Sequence, residues 1–167
     1  MKSRATAVVL AATLILLPLS HLEIRASDDS WLLWVDGRPV DVAGYLSETY
    51  TDMTRYCSPV QVVPPRHPLH AQALAAIQRH SPPDSLSAQL VELTRMDHWL
   101  LAQVRFSTLQ DAVVLLTEAA QGVTIAQGGV WSGSTYPHRF EPIVRRYLQT
   151  RVPAAPTELT ACLASRL

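Results

Sequence analysis

The chain has 167 residues, 14 of them basic and 14 acidic, and 48% of its residues are hydrophobic. This length suits one domain with a sizeable core. Without its first 26 residues the chain carries a formal charge of −2, which excludes a nucleic-acid binder that works by neutralising phosphates.

The N-terminal segment predicts export. Lys2 and Arg4 precede an apolar run over residues 5–19, and a short polar stretch follows it. A basic start, an apolar stretch of about 15 residues and a small residue at the cleavage point are typical of a secretory signal. We therefore predict a signal peptide over residues 1–26, one domain over residues 27–167, and a periplasmic or secreted location.

The alternative is an uncleaved anchor in the inner membrane, formed by residues 5–19. Cleavage after Ala26 places Ile24 where a small side chain is preferred, so the cleavage site is imperfect. Against an anchor, the run is shorter than the roughly 20 apolar residues of a spanning helix, and Pro18 interrupts it near its end. The cleaved signal is therefore the preferred interpretation.

The two cysteines, Cys57 and Cys162, predict a disulfide, because an even pair in an oxidising compartment favours one. Such a bridge closes a loop of about 100 residues, for which chain entropy gives about 4–5 kcal/mol of stabilisation. The alternative is two separate buried thiols. A catalytic thiol is not favoured, since neither cysteine has a histidine close in sequence.

The predicted domain begins with a strand and a helix. Trp31–Val35 is an apolar run followed by the tight-turn signal Asp36-Gly37, so it predicts a short strand. Asp41 is placed to cap a helix that ends near Cys57. Helical spacing relates its apolar positions, which are Val42, Tyr45, Leu46, Thr49, Tyr50 and Met53.

A proline-rich stretch and a second helix follow. Four prolines in residues 58–68 predict extended chain, and the Ala-rich residues 69–80 with one apolar stripe predict a helix. His67 and His70 have a spacing compatible with metal binding, with His80 as a further ligand, but the proline between the first two disfavours helical geometry there. We therefore predict no metal site and no cofactor.

The next fifty residues predict a four-stranded antiparallel meander. Its predicted strands are Leu90–Arg95, His98–Phe106, Ala112–Thr117 and Val123–Trp131. The third strand is apolar on both faces, as expected of a central strand. Leu101, Gln103 and Arg105 lie on one face of the second strand, which we interpret as exposed, and Gly128-Gly129 predict a bulge or bend in the fourth strand.

Two C-terminal helices complete the predicted fold. Pro142 suits the first position of one helix, and the last helix carries Leu159, Cys162 and Leu163. N-terminal helices, a meander and C-terminal helices predict an α+β domain with helices on one face of a curved sheet. The order is similar to that of cystatin-like and NTF2-like folds, a likeness of topology that implies no function.

The segment between the last predicted strand and the following helix is our candidate site for a ligand or partner. Its candidate residues are Trp131, Ser132, Ser134, Tyr136, His138 and Arg139. Hydroxyls, an imidazole and a guanidinium beside a helix N-terminus suit an anionic or hydrogen-bonding ligand. The alternative is a connecting loop whose hydroxyls satisfy turns and caps.

The sequence favours a non-catalytic exported domain that binds a periplasmic protein or a small ligand through the exposed sheet face or the candidate segment. Membrane contact is expected only through an uncleaved N-terminal segment. The alternative is a small periplasmic hydrolase or isomerase, with His138 as base beside Ser134 or Tyr136 in a pocket. No complete catalytic set is present in the sequence, so no catalytic residue is assigned.

Overall fold

The computed structural model describes residues 21–27 and 30–163, over which the chain forms two antiparallel sheets and four α-helices. The predicted apolar run over residues 5–19 lies outside the described residues. The predicted α+β class is confirmed. The predicted single sheet of four strands is wrong, because the larger sheet has five strands and a second sheet has three.

The N-terminal part contains the smaller sheet and one helix. In chain order it comprises β1 (Leu22–Ala26), β2 (Trp31–Val35), β3 (Arg38–Val40) and α1 (Val42–Thr54). Asp36 and Gly37 both adopt positive φ in the β2–β3 turn, which is the backbone geometry that a two-residue hairpin requires. Asp41 caps α1 as predicted, since its side chain accepts a hydrogen bond from the Gly44 backbone.

Strand β1 falls within the segment assigned to the signal. It pairs with β2 from Leu22 opposite Val35 to Ala26 opposite Trp31, and all five of its residues are exposed. Cleavage after Ala26 would therefore remove a whole edge strand, and the position of cleavage stays a prediction.

The larger sheet contains the predicted meander and one additional strand. Its strands, in spatial order, are β4 (Gln61–Val62), β5 (Gln89–Met96), β6 (Trp99–Arg105), β7 (Ala112–Ala119) and β8 (Gly122–Ser132). Strands β5 to β8 correspond to the four predicted strands. Strand β4 comes from the proline-rich stretch, and a strand of two residues is too short to show a period in sequence.

Three helices pack on the larger sheet, on both of its faces. They are α2 (Pro68–His80), α3 (Phe140–Arg151) and α4 (Thr157–Ala161). One core lies between α2 and the face that carries Leu100 and Leu116. The other lies between α3, α4 and the face that carries Leu101 and Leu115. The expectation that helices cover one face is therefore wrong.

Helices on both sides of the sheet also cover the face of β6 that carries Leu101, Gln103 and Arg105, which the sequence predicts to be exposed. Leu101 and Gln103 are each 3% exposed because α3 and α4 lie over that side of the sheet, and only Arg105 at the strand end is exposed. An alternating strand does not reveal whether a second layer covers its other face. The sheet face is therefore excluded as the contact surface for a partner.

Strand β8 bends at the two adjacent glycines, as predicted. Gly128 has a φ of +76°, a backbone conformation that L side chains rarely adopt. A Cβ on Gly129 would lie 3.0 Å from the Leu115 side chain and from its carbonyl oxygen. The pairing of β7 with β8 shifts register at this point, between Val114 and Leu116.

The C-terminal helices differ from the prediction only at their ends. Helix α3 begins at Phe140, two residues before Pro142, and proline is tolerated in a first turn because the N–H groups there have no acceptor within the helix. Helix α4 ends at Ala161, so Cys162 is its C-cap. The predicted disulfide between Cys57 and Cys162 is confirmed, with 5.8 Å between the two Cα atoms.

Candidate functional site

The candidate segment over residues 131–139 connects β8 to α3, and much of it is engaged within the fold. Trp131 is 9% exposed and packs edge to face on Phe140, with 5.2 Å between ring centroids. Ser132 Oγ donates to the Gln110 carbonyl, and Ser134 Oγ accepts from the Tyr136 backbone N–H. These hydroxyls satisfy local backbone groups. The Tyr136 side chain, in contrast, is 79% exposed.

His138 lies in a polar cluster that sequence reasoning missed. Its side chain is 6% exposed, and its Nε2 atom lies 3.1 Å from Ser27 Oγ. On the other side of the ring, Nδ1 lies 3.2 Å from Ser30 Oγ and 3.6 Å from Asp41 Oδ2. The Asp41 distance is beyond a good hydrogen bond. Ser27 and Ser30, whose hydroxyls lie within hydrogen-bond distance of the imidazole, come from the connection between β1 and β2.

Asp41 joins this cluster to the N-terminus of α1. One of its carboxylate oxygens accepts from Gly44 N at 2.8 Å, and the other accepts from Arg139 N at 2.9 Å. A Cβ on Gly44 would overlap the Asp41 carboxylate, so the absence of a side chain at Gly44 is required by this cap. The carboxylate therefore fixes the start of α1 against the segment that leads into α3.

The inward face of α1 is polar. Glu48 and Thr51 are both 9% exposed, and they face α3 rather than solvent. Glu48 accepts from the Arg139 guanidinium, and Thr51 Oγ1 accepts from Arg145 at 2.7 Å. Arg55, just after the helix, lies 3.8 Å from Glu141. Because each of these groups has its partner on or beside α3, the rotation of α1 about its axis is set by polar contacts.

The outward face of α1 is apolar and exposed. We define the α1 face as Val42, Tyr45, Leu46, Tyr50, Met53 and Tyr56, which are 40%, 57%, 61%, 69%, 81% and 72% exposed. Helical stripes of this spacing normally face the core. Here the stripe is turned away from the protein, and it forms an apolar patch of the kind that marks an interaction surface.

A groove borders the C-terminal half of the α1 face. It has a volume of about 500 Å³ and lies between α1, α3 and α4. Tyr50 and Tyr56 line it on the α1 side, and Arg145 and Gln149 line it on the α3 side. The groove gives the otherwise convex α1 face one concave margin.

The described residues offer no metal centre and no spanning helix. Residues 21–27 and 30–163 contain no group of three His, Cys, Asp or Glu side chains that could hold a metal ion. His67 instead caps α2, accepting from Leu69 N at 3.2 Å. In that same part of the chain, every helix is too short or too polar to cross a membrane.

Neither a protein-family model, nor a curated protein, nor a solved structure matches this chain. We therefore infer function from the geometry of the α1 face and of the His138 cluster. The sequence identified the α1 stripe as helical, but periodicity alone does not say which side of a helix is covered. Asp41 was recognised as a cap, and no sequence signal connected it with His138.

Proposed function

We propose that this protein is an exported, non-catalytic interaction module that binds its partner through the α1 face. One observation carries the proposal: the apolar stripe of α1 faces solvent while its polar stripe is engaged with α3. The Cys57–Cys162 disulfide supports the exported location, because disulfides persist in oxidising compartments. We also propose that the packing of α2 on the larger sheet is similar to the helix-on-sheet arrangement of cystatin-like or NTF2-like folds, a likeness of topology alone.

The composition of the α1 face supports binding to another macromolecule. Tyrosine and methionine are enriched in the cores of protein interfaces, where charged side chains are depleted. Three of the six residues of the α1 face are tyrosines, one is Met53, and none is charged. A tyrosine buries a large area and loses few rotamers on binding.

The experiment places a photo-crosslinking amino acid at Leu46, in the full chain made by a cell that exports it. A matched control places the same group at Leu86, which is 60% exposed compared with 61% for Leu46 but lies in the 3₁₀ turn before β5. We expect a discrete crosslinked product from position 46 and none from position 86. The mass of the product identifies what covers the α1 face.

The absence of a product from position 46, in cells where the protein is exported and oxidised, would contradict the proposed function. Equal products from both positions would do the same, because they would report general contact rather than a defined surface. A single product that is specific to position 46 supports the interaction module, whichever molecule is captured.

A second candidate function is ester hydrolysis, which the Ser27–His138 contact favours. Ser27 is exposed, and its Oγ atom lies within hydrogen-bond distance of a buried imidazole. An exposed hydroxyl, a base within reach and a third group behind the base form the general signature of an activated nucleophile. In this hypothesis Ser27 Oγ bonds to the acyl carbon as its proton passes to His138 Nε2. The alcohol leaves with that proton, and water then releases the acid.

A fluorophosphonate probe tests this second function, since it labels activated serines. Labelling of the purified full chain at Ser27, abolished by Ser27→Ala and retained by Ser30→Ala, would support it. An unlabelled wild-type protein would contradict it. Ser30 is the matched control because its hydroxyl contacts the opposite nitrogen of the same ring, at 3.2 Å.

A further inference from the structure

We infer that a second copy of this chain covers the α1 face, in a two-fold symmetric dimer with the two α1 helices antiparallel. The inference rests on the proposed function and names its partner. Three observations carry it: the size of the exposed patch, the symmetry of its spacing and its freedom from charge.

The patch has the size that a stable dimer requires. Its six side chains are between 40% and 81% exposed, which leaves on the order of 100 Å² of each side chain to bury. The α1 face thus offers about 600–800 Å² per copy, close to the roughly 800 Å² per partner of a standard interface. The apolar patches that single soluble proteins expose are usually smaller.

Within the helix, the spacing of the stripe is symmetric about the midpoint between Ser47 and Glu48. The pairs equidistant from this midpoint are Val42 with Met53, Tyr45 with Tyr50, and Leu46 with Thr49. A two-fold axis through the midpoint therefore places Val42 of one copy opposite Met53 of the other, and Tyr45 opposite Tyr50. Each apolar residue of the helix meets an apolar residue or the Thr49 side chain, which is the self-complementarity that an isologous interface demands.

The charges around the stripe do not oppose a second copy. The centre of the α1 face is uncharged, and at its edge Asp52 is paired with Arg55 at 3.0 Å. The edge is therefore close to neutral, so two identical faces approach without like-charge repulsion. Antiparallel helices also bring the positive end of each helix dipole near the negative end of the other.

The test measures the mass of the purified full chain in solution by light scattering and sedimentation over a range of concentrations, in mild detergent if the apolar N-terminal run is retained. The disrupting variant is Leu46→Glu with Met53→Glu. The matched control is Val62→Glu with Leu86→Glu, because these two side chains are 66% and 60% exposed and lie outside the α1 face.

We expect a dimer for the wild type and for the control variant. The disrupting variant should weaken dimerisation at least about 100-fold, because each dimer would bury four unpaired carboxylates. Retained circular dichroism and an intact disulfide by mass would show that the disrupting variant is folded. If the disrupting variant fails to fold, Leu46→Ser with Met53→Ser replaces it. We again expect a weaker dimer than in the wild type and the control variant, with a smaller loss of affinity than the glutamates would cause.

A wild type that stays monomeric up to about 100 μM, or a dimer that survives the disrupting variant, would overturn the inference. The crosslink from Leu46 separates this failure from that of the proposed function. A product with another protein or with a lipid would keep the interaction module and exclude the second copy as its partner. No product at all would exclude both.

Discussion

The N-terminal unit, residues 22–26 and 30–56, and the five-stranded sheet place their apolar side chains in opposite ways. In the sheet, Leu100, Leu115 and Leu116 are completely buried between two layers of helices. Within the described residues, ten of the fifteen large apolar side chains that are exposed belong to the N-terminal unit, where Leu32 is the one that is buried. The sheet and its helices form a conventional core, and the N-terminal unit displays the apolar surface that such a core would hide.

The contrast also shows how the N-terminal unit is held. Its attachment to the rest of the chain relies on the Asp41 cap, the pairing of Glu48 with Arg139, and the disulfide at Cys57. Half-exposed ion pairs contribute little free energy, so the covalent bridge and the buried Asp41 carry most of this attachment. Burial stabilises one region, and a few specific contacts fix the orientation of the other.

The largest effect is expected from the bridge between the two regions. Replacing both Cys57 and Cys162 with alanine should lower the free energy of unfolding by about 4 kcal/mol, because the bridge closes a loop of 105 residues in the unfolded chain. Chemical denaturation of the oxidised protein and of the variant measures the difference. The reduced wild type is the control and should match the variant. A loss below about 1 kcal/mol would mean that burial already holds the N-terminal unit.

Two leucines test the contrast in burial directly. Leu116→Ala should cost about 3 kcal/mol, because the side chain is 0% exposed and its removal leaves a cavity. Leu46→Ala, at 61% exposed, should change the free energy of unfolding by less than about 0.5 kcal/mol. Urea denaturation at a protein concentration low enough to exclude association measures both. Similar changes in the free energy of unfolding for the two substitutions would contradict the claim that the sheet buries its apolar side chains and the N-terminal unit exposes them.

The Asp41 carboxylate tests the polar attachment. Asp41→Ala should cost about 2 kcal/mol, because it removes a helix cap and leaves the Arg139 backbone N–H without its acceptor. Asp41→Asn should cost about half as much, since its remaining oxygen still accepts from Gly44. Thermal and urea unfolding measure both variants. An alanine variant as stable as the wild type would show that Asp41 does not hold α1 in place.

The sequence predicted the strands and the disulfide better than it predicted which faces of the strands are covered. The four strands β5 to β8 and the bend at the glycine pair in β8 follow from local sequence patterns, and the structure confirms both. The disulfide followed from the even number of cysteines and the predicted export. The covered side of β6, with Leu101 and Gln103 buried, depends on α3 and α4, which join the sheet from a distant part of the chain.

The candidate site was harder to predict, because it also depends on contacts between distant parts of the chain. The stripe of α1 has the spacing of a core-facing helix, and only the partners of Glu48 and Thr51, on or beside α3, reveal that the helix is turned the other way. His138 was singled out from its local sequence. Its contacts with Ser27 and Ser30 join residues more than 100 positions apart, which no local pattern encodes.

The smallest change in the free energy of unfolding is expected from removing β1. This experiment tests the predicted cleavage after Ala26 as well as the contrast between the two regions. A chain that begins at Ser27 lacks β1 but keeps β2, the Asp41 cap and the disulfide. Because all five residues of β1 are exposed, its removal should cost no more than about 1 kcal/mol, mainly in exposed backbone hydrogen bonds. Denaturation of this chain beside one that begins at His21 measures the difference.

A small difference would mean that the fold tolerates the predicted cleavage after Ala26, and the intact mass of the protein recovered from cells would then show whether the cell makes that cut. A loss above about 2 kcal/mol would oppose cleavage there, because the exported chain would lose a strand on which its stability depends. It would also show that the N-terminal unit folds as one piece with the larger sheet despite its exposed apolar surface. The contrast in burial would then describe two surfaces of one cooperative structure.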